Sequence, residues 1–240
     1  MSPFPCLGHT DVESPPELSC ETERVYNPSA FRETRPEILE AALAAHPLAA
    51  LVTMGSQGLD ASHIPLIYHP SEGGMGVLRG HMARANPQWQ QYTQETEALA
   101  IFSGPQHYVT PAWYPTKKEN GKVVPTWNYL VVHARGLLSF QDEPAWLLEN
   151  VQSLTDAHER SRDAPWRVTD APPDYIDNML RAIVGVELKI AGLEGKWKVS
   201  QNRSLPDRQG VIAGLQSLKS TDADEMAALV RASLPDSQPS

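Results

Sequence analysis

The hydrophobic pattern of the chain opens with one helical stretch. Apolar residues recur at helical intervals over about residues 35–46, which predicts a helix there. Thr34 and Glu37 have the spacing of a capping box, and Pro36 is acceptable in a first turn. We therefore expect Thr34 to cap this helix.

The next apolar runs are short and extended, and turn residues separate them. The run Ala49–Met54 is partly β-branched, residues 55–58 include two glycines, and a second run covers Leu59–His69. This pattern predicts a β-hairpin. A turn at residues 71–74 leads to a third run, Met75–Met82, so we expect an antiparallel meander.

The rest of the chain mixes longer strands with helices. Gly136 is expected to mark a bulge. About six strands with helices inserted between them favour a mainly β (α+β) fold, a closed or split antiparallel barrel with inserted and C-terminal helices, over alternating βαβ units. The predicted strands are Ala98–Phe102, Val123–Phe140 and Ile183–Ile190, the last extending through Leu193, and the predicted helices are Ala145–His158, Asp174–Ala182, Pro206–Ser217 and Thr221–Ser233.

Charge divides the chain into three parts. Residues 1–25 form an acidic, Pro-rich leader that we expect to be disordered, with five carboxylates against Arg24. Residues 26–219 are expected to form the folded domain, and residues 220–240 a C-terminal helix and tail. Cys6 and Cys20 lie in the leader, and we interpret them as free thiols rather than a disulfide or a metal site with His9.

The overall charge counts against direct DNA binding. The chain carries a net charge of −9, most of it in the two terminal segments, and the body lacks the basic excess that neutralises phosphates. No apolar run approaches the roughly 20 residues of a membrane helix, and residues 1–7 have neither the basic nor the apolar region typical of a signal peptide. We expect a cytoplasmic protein with no membrane association.

The usual enzyme signatures are missing from the sequence. There is no GxGxxG, GxxxxGK[ST], GxSxG, HExxH or CxxC motif. The eight histidines have no spacing that places two imidazoles on one face for a metal ion. The sequence therefore assigns no catalytic residue and predicts no metal site.

Four polar and aromatic clusters interrupt the apolar strands. Each also has an ordinary structural explanation: a hydrogen-bonded sheet histidine, a solvated arginine, an aromatic loop or dimer contact, and a cationic surface turn. Glycine beside arginine permits close approach to a phosphate, a wall of Trp and Tyr suits a planar heterocycle, and cations before a helix suit an anion. The clusters are Ser62–Pro65, Leu78–Trp89, Gly104–Tyr114 with Lys117, Lys118 and Val124–Tyr129, and Lys196–Arg203.

Because these clusters follow one another in this order along the sequence, the chain resembles the PaiB-type family of FMN-binding negative transcriptional regulators. The resemblance extends from about Tyr26 to Leu218 and leaves the leader outside. It rests on YNPSAF at Tyr26–Phe31, HIP at His63–Pro65, GHMARANPQW at Gly80–Trp89, FSGPQHYVTPAWY at Phe102–Tyr114, VPTWNY at Val124–Tyr129 and KWKVSQNR at Lys196–Arg203.

The resemblance implies a split β-barrel related to the pyridoxamine-phosphate oxidase and flavin reductase barrels. It also implies a homodimer with FMN in clefts between the subunits. Carried onto this chain, it places Ser62, His63 and Ile64 beside the flavin ring. Further expected cofactor contacts are Gly80, His81 and Arg84 toward the phosphate, Trp127 and Asn128 at the ring rim from the partner, and Lys117, Lys198, Gln201 and Asn202.

Three functions are compatible with this resemblance. The first is a flavin-binding regulatory protein, with any effect on transcription more easily indirect than base-reading, because no helix-turn-helix signal is present. The second is an FMN-dependent oxidoreductase, either an NAD(P)H:flavin reductase or a small-molecule oxidase. The third is a haem-binding split barrel in which His63, His81 or His107 ligates iron.

Overall fold

The computed structural model describes residues 26–70, 74–93 and 97–235. The leader with Cys6 and Cys20, and part of the expected turn at residues 71–74, lie outside the described residues.

Seven antiparallel strands make up the sheet, in the order β1-β7-β4-β3-β2-β5-β6. Strand β7 also pairs with β6, which closes β2 to β7 into a six-stranded barrel, and two-residue β1 adds to the far end of β7. The expected barrel is therefore confirmed. The strands are β1 (Arg32–Glu33), β2 (Leu48–Gly55), β3 (Gly58–His69), β4 (Val77–Ala83), β5 (Ala98–Val109), β6 (Thr126–Gln141) and β7 (Ile183–Lys198).

Helices lie between the strands and after the last one, as expected. Within the described residues, α2 and α3 are single turns and the others run to nine residues or more. The helices are α1 (Pro36–Ala45), α2 (Gln88–Gln91), α3 (Lys117–Asn120), α4 (Pro144–Glu159), α5 (Pro173–Arg181), α6 (Leu205–Ser217) and α7 (Thr221–Ala232).

The predicted capping box of α1 is wrong. The N-cap residue is Arg35, and it makes no side-chain capping bond because a guanidinium has only donors. Glu33 instead accepts hydrogen bonds at 3.0 Å from the backbone N–H groups of Thr34 and Arg35. A carboxylate outside the predicted motif therefore accepts from the two backbone N–H groups just before the helix.

The β2–β3 hairpin and the meander through β4 are confirmed. Gly55 pairs with Gly58 across the turn, and Gly58 has a φ of 102°, which favours glycine. The bulge expected at Gly136 is also confirmed in position, although the extra residue, Ala191, belongs to β7. At Gly136 an added Cβ would lie 1.9 Å from the Lys189 carbonyl oxygen, so the strands approach there as only glycine permits.

Two hydrophobic cores hold the fold together. Alternate residues of the strands fill the barrel, for example Leu51, Leu66 and Val132, and Leu43 of α1 joins them. A second core forms where α6 and α7 pack on Val109 and Val199 at the ends of β5 and β7. The strand alternation therefore fixes which side chains of each strand face outward.

Candidate functional site

The candidate residues on β3 and β4 form the first of two groups. Ser62, His63 and Ile64 follow one another on β3, and Gly80, His81 and Arg84 lie on β4 or just after it. Leu66 of β3 pairs with Gly80 of β4, so the two runs are neighbours across the ladder. We call these six residues the β3–β4 group.

Alternation along β3 separates three adjacent candidates. Ile64 is buried in the barrel, and Ser62, on the same face, accepts a hydrogen bond from Asn86 Nδ2 at 2.8 Å. His63 is exposed on the outer face. Only His63 of this run therefore presents its side chain to a ligand outside the barrel.

The β4 residues of this group are packed against the protein. At Gly80 an added Cβ would lie 2.4 Å from the Pro65 carbonyl oxygen, and the Gly80 carbonyl accepts from Asn150 Nδ2 of α4 at 3.0 Å. Next along the strand, His81 pairs with Gly185, which the Trp146 indole of α4 covers. Burial lowers the pKa of His81, whose Nδ1 has no hydrogen-bond partner among the described residues.

Arg84 is held by acceptors of its own chain. Its Nη2 lies 2.5 Å from the Asp142 carboxylate and 2.8 Å from the Ile183 carbonyl oxygen, and its Nε donates to the Arg181 carbonyl at 3.0 Å. These bonds tie the end of β4 to the start of β7. The guanidinium is a structural clamp before any ligand arrives.

The second group lies where β6 begins and β7 ends. Trp127 and Asn128 open β6, Lys198 ends β7, and Gln201 and Asn202 follow in the turn before α6. Tyr129 pairs with Lys198, so these strand ends are adjacent. We call these five residues the β6–β7 group. The remaining candidate, Lys117, is exposed at the start of α3 and is not part of either group.

Two amide side chains of the β6–β7 group already form hydrogen bonds within the chain. Asn128 is buried and donates from Nδ2 to Ser200 Oγ at 2.9 Å. Gln201 donates to the Trp197 carbonyl at 2.5 Å and accepts from the Val199 N–H at 2.8 Å. Ser200 has a φ of 68°, which is unusual for a non-glycine residue and bends the chain so that Gln201 reaches back. Asn202, in contrast, is exposed.

Aromatic rings and cations line the outer face at this end of the barrel. Trp127 is 49% exposed, its Nε1 donates to Gln106 Oε1 at 3.2 Å, and its ring lies 6.1 Å from the Tyr108 ring. Lys196 Nζ lies 5.7 Å from the Tyr129 ring centroid. This combination of flat faces and positive charge suits a planar anion.

Three cations stand close together here. Burial lowers the pKa of Lys198, and the positive charges of Lys196 and Arg203 lower it further. Within residues 26–70, 74–93 and 97–235, no carboxylate lies within ion-pair distance of these three side chains. We call Lys196, Lys198 and Arg203 the cationic cluster.

The donor set of this end fits FMN. The FMN phosphate carries a charge of about −1.5 to −2 at neutral pH and needs cations or N–H donors, and its ring needs flat apolar faces. The cationic cluster supplies the first and the exposed aromatics supply the second. Among the described residues, no group of three metal-ligating side chains is present.

The sequence points to the whole Lys196–Arg203 run as a candidate anion site, but the expected cofactor contacts omit two members of the cluster. Lys196 and Arg203 lie in the KWKVSQNR run but were not separated from its structural residues. The available signal was the i, i+2 spacing of Lys196 and Lys198, which places both on the outer face of one strand. Arg203 had no such signal, because the turn at Ser200 sets its position.

One chain does not bring the two groups together. The start of β7 pairs with Ala83 beside Arg84, and its end, Lys198, pairs with Tyr129 beside Asn128. The 16 residues of β7 lie between the strand positions beside Arg84 and Lys198, a path of about 50 Å along the strand at roughly 3.3 Å per residue. That path is longer than a flavin mononucleotide.

A closed antiparallel barrel defines the class of the protein by its fold: it is a split β-barrel. Two solved structures share the fold with a TM-score of 0.51. The flavocytochrome Anf3 of Azotobacter vinelandii is 17% identical and matches over 70% of this chain and 69% of its own. The FAD and heme binding protein of Mycobacterium smegmatis is 16% identical, over 70% of this chain and 73% of its own.

The sequence comparisons then give the family. The model of the family described as "Putative FMN-binding domain" matches residues 25–192, so the chain belongs to this FMN-binding family. It is 31% identical to the protease synthase and sporulation protein PAI 2 of Bacillus subtilis over 86% of this chain and 96% of that protein. It is 36% identical to "Uncharacterized protein AN0679" of Emericella nidulans over 85% of this chain and 95% of that protein.

These comparisons confirm the PaiB-type resemblance and the expected cofactor, FMN. Within the described part of the chain, no helix is long and apolar enough to cross a membrane.

Proposed function

We propose that the protein is a homodimeric flavin-binding regulator in which FMN lies between two chains. The β3–β4 group of one chain meets the β6–β7 group of the other. The observation that carries this proposal is the separation of Arg84 from Lys198 along β7. In the proposed dimer, the second chain places its β6–β7 group next to the β3–β4 group of the first.

The outer face of the barrel supports a second copy as the occupant. On β2, β3, β5 and β6 this face carries apolar side chains that remain exposed or half-exposed. They include Ala50, Ile101 and Val131 near its centre and Leu48, 60% exposed, at its margin. A patch of this kind marks an interaction surface. His63, Trp127 and Lys198 face outward on the same side of their strands, so a chain that covers the patch also reaches both groups.

The C-terminal helices support an indirect effect on transcription. Helices α6 and α7 form a hairpin, and α7 begins with Asp222, Asp224 and Glu225 and has one basic residue in its last turn, Arg231. Acidic side chains on the second helix repel DNA phosphates. The protein therefore acts on transcription through its flavin state or a protein partner.

The dimer is tested with Ile101→Glu, which places a carboxylate on the apolar outer face. We expect the wild-type protein to sediment as a dimer and to bind FMN, and the variant to sediment as a monomer with FMN binding lost. Leu218→Glu, at a residue that is 47% exposed beyond α6, is the matched control. A wild-type protein that binds FMN as a monomer contradicts the proposal.

The absorption spectrum of the protein as isolated separates the remaining functions. Flavin bands without steady NADH consumption support the regulator, and flavin bands with steady consumption favour the oxidoreductase. A Soret band indicates haem. A protein that stays colourless after incubation with excess FMN is not a flavin-binding module at all.

A further inference from the structure

We propose that Lys196, Lys198 and Arg203 read the terminal phosphate of the flavin, so that the β6–β7 end of the partner chain, and not Arg84, distinguishes FMN from riboflavin. This inference rests on the proposed function, because it assumes that the two chains share one flavin. It assigns the phosphate to the end of the barrel opposite to the one that the sequence suggested.

Lys198 is fixed in place before a ligand binds. Its Nζ donates to the Trp127 carbonyl at 2.5 Å and to Thr126 Oγ1. Both acceptors are neutral, so they hold the ammonium without cancelling its charge. The side chain is half-buried, and its fixed position lowers the entropy cost of binding an anion.

The other two cations are also held by neutral groups. Lys196 Nζ donates to the Tyr26 carbonyl at 2.7 Å and lies over the Tyr26 and Tyr129 rings. The Arg203 guanidinium lies 4.9 Å from the Tyr114 ring centroid. Three positive charges thus share one end of the barrel, and no carboxylate of the described residues lies within ion-pair distance of them. Partly dehydrated charges of one sign are costly to hold together, and a bound dianion relieves that cost.

Arg79 and Arg84, in contrast, already have acidic partners. Arg79 lies 2.6 Å from Glu187. Arg84 has Asp142 and two carbonyl oxygens. A phosphate that approached any of these would compete with an acceptor already in place, whereas at the cationic cluster it meets uncompensated charge.

The experiment titrates the full-length protein with FMN and with riboflavin, which lacks the phosphate, and follows flavin fluorescence. We expect the wild-type protein to bind FMN at least tenfold more tightly than riboflavin. The double variant K196M/K198M should bind FMN about tenfold more weakly or worse, on the scale of a lost charge-assisted hydrogen bond. Its riboflavin affinity should stay within about twofold, since riboflavin makes no such bond.

Three further variants make the test specific. Lys189→Met, at an exposed position on the same face of β7, is the matched control and should leave the FMN to riboflavin ratio unchanged. Lys198→Arg keeps the charge and should keep most of the ratio. Arg203→Met changes a side chain in the turn after β7 and leaves the strand itself unaltered. It should lower the ratio of FMN to riboflavin affinity, and this result stands even if the lysine variants disturb the end of β7. Added KCl should weaken FMN binding and leave riboflavin binding nearly constant.

The outcomes separate this inference from the function on which it rests. A wild-type protein that binds neither flavin contradicts the proposed function itself. A protein that binds both flavins equally well, or whose ratio collapses in Arg84→Met but survives in K196M/K198M and Arg203→Met, keeps the function and overturns the phosphate assignment.

Discussion

The β3–β4 group and the cationic cluster at the end of β7 both carry positive charge, but the acceptors around that charge differ. Arg84 has a carboxylate and two carbonyl oxygens around it, and Gly80 and His81 are packed beneath α4. Lys198 has only neutral acceptors. The comparison teaches that a basic residue inside a family motif is not by itself a ligand contact. Whether its charge is already balanced decides what it can bind.

The largest expected effect is a loss of stability at Gly80, a residue of the β3–β4 group for which we expect a structural role. Gly80→Ala places a Cβ 2.4 Å from the Pro65 carbonyl, and we expect a loss of about 3 kcal/mol in the free energy of unfolding. Urea unfolding measures this. Gly121→Ala, at a φ of 66° with open space around it, is the control and should cost about 1 kcal/mol. Equal losses at both positions would show that Gly80 is not tightly packed.

Asn128 comes next, and it tests whether the second group also contains structural residues. Asn128→Ala removes the buried bond to Ser200 Oγ, and we expect about 1–3 kcal/mol of lost stability together with weaker FMN binding. Urea unfolding and flavin titration measure the two effects. Asn202→Ala, at an exposed position in the same turn, should change stability by less than about 0.5 kcal/mol. An unaltered titration curve for Asn128→Ala would place the partner's contribution elsewhere.

The variant Arg84→Ala tests the difference between the β3–β4 group and the cationic cluster most directly. Arg84→Ala removes the clamp between β4 and β7, but Asp142 is 69% exposed, so we expect a loss of only about 1 kcal/mol in stability. The ratio of FMN to riboflavin affinity should stay at the wild-type value. Thermal unfolding and flavin titration check the two parts. A collapsed ratio would return the phosphate to the β3–β4 group.

The smallest effect is the pH dependence of stability at His81. Burial lowers the pKa of folded His81, whereas an unfolded histidine titrates near about 6.5. The unfolded state therefore binds more protons below this pH, and stability that is present above it is lost as the pH falls through the lowered pKa. His81→Gln should reduce the loss of Tm between pH 7.5 and pH 5.5. His158→Gln, at an exposed position on α4, is the control. A variant with the wild-type slope would show that other groups carry the acid sensitivity.

Much of the fold follows from local patterns. Two-residue alternation gives the strands, glycines give the β2–β3 turn, and helical periodicity gives α1 and the later helices. The cap of α1 failed because Pro36 shifts the helix start by one residue and Glu33 supplies the acceptor. A capping spacing in the sequence does not say which oxygen reaches the free N–H groups.

The candidate site was less predictable than the fold. The motifs gave the right segments, but Ser62, His63 and Ile64 divide between two faces of β3, and Gln201 turns back onto the chain after Ser200. Adjacent residues on a strand point in opposite directions. A contiguous motif therefore mixes outward-facing side chains with packing residues.

The sequence alone determined the barrel, the order of its strands and helices, and the resemblance to FMN-binding proteins, because each of these depends on residue type and short-range spacing. Only the tertiary structure decided which charges are free. Arg84 meets Asp142 across 58 positions of sequence, and Lys198 ends beside Trp127 rather than beside an acid. A charge is balanced by whatever lies near it in space, and pairings between distant strands set that distance.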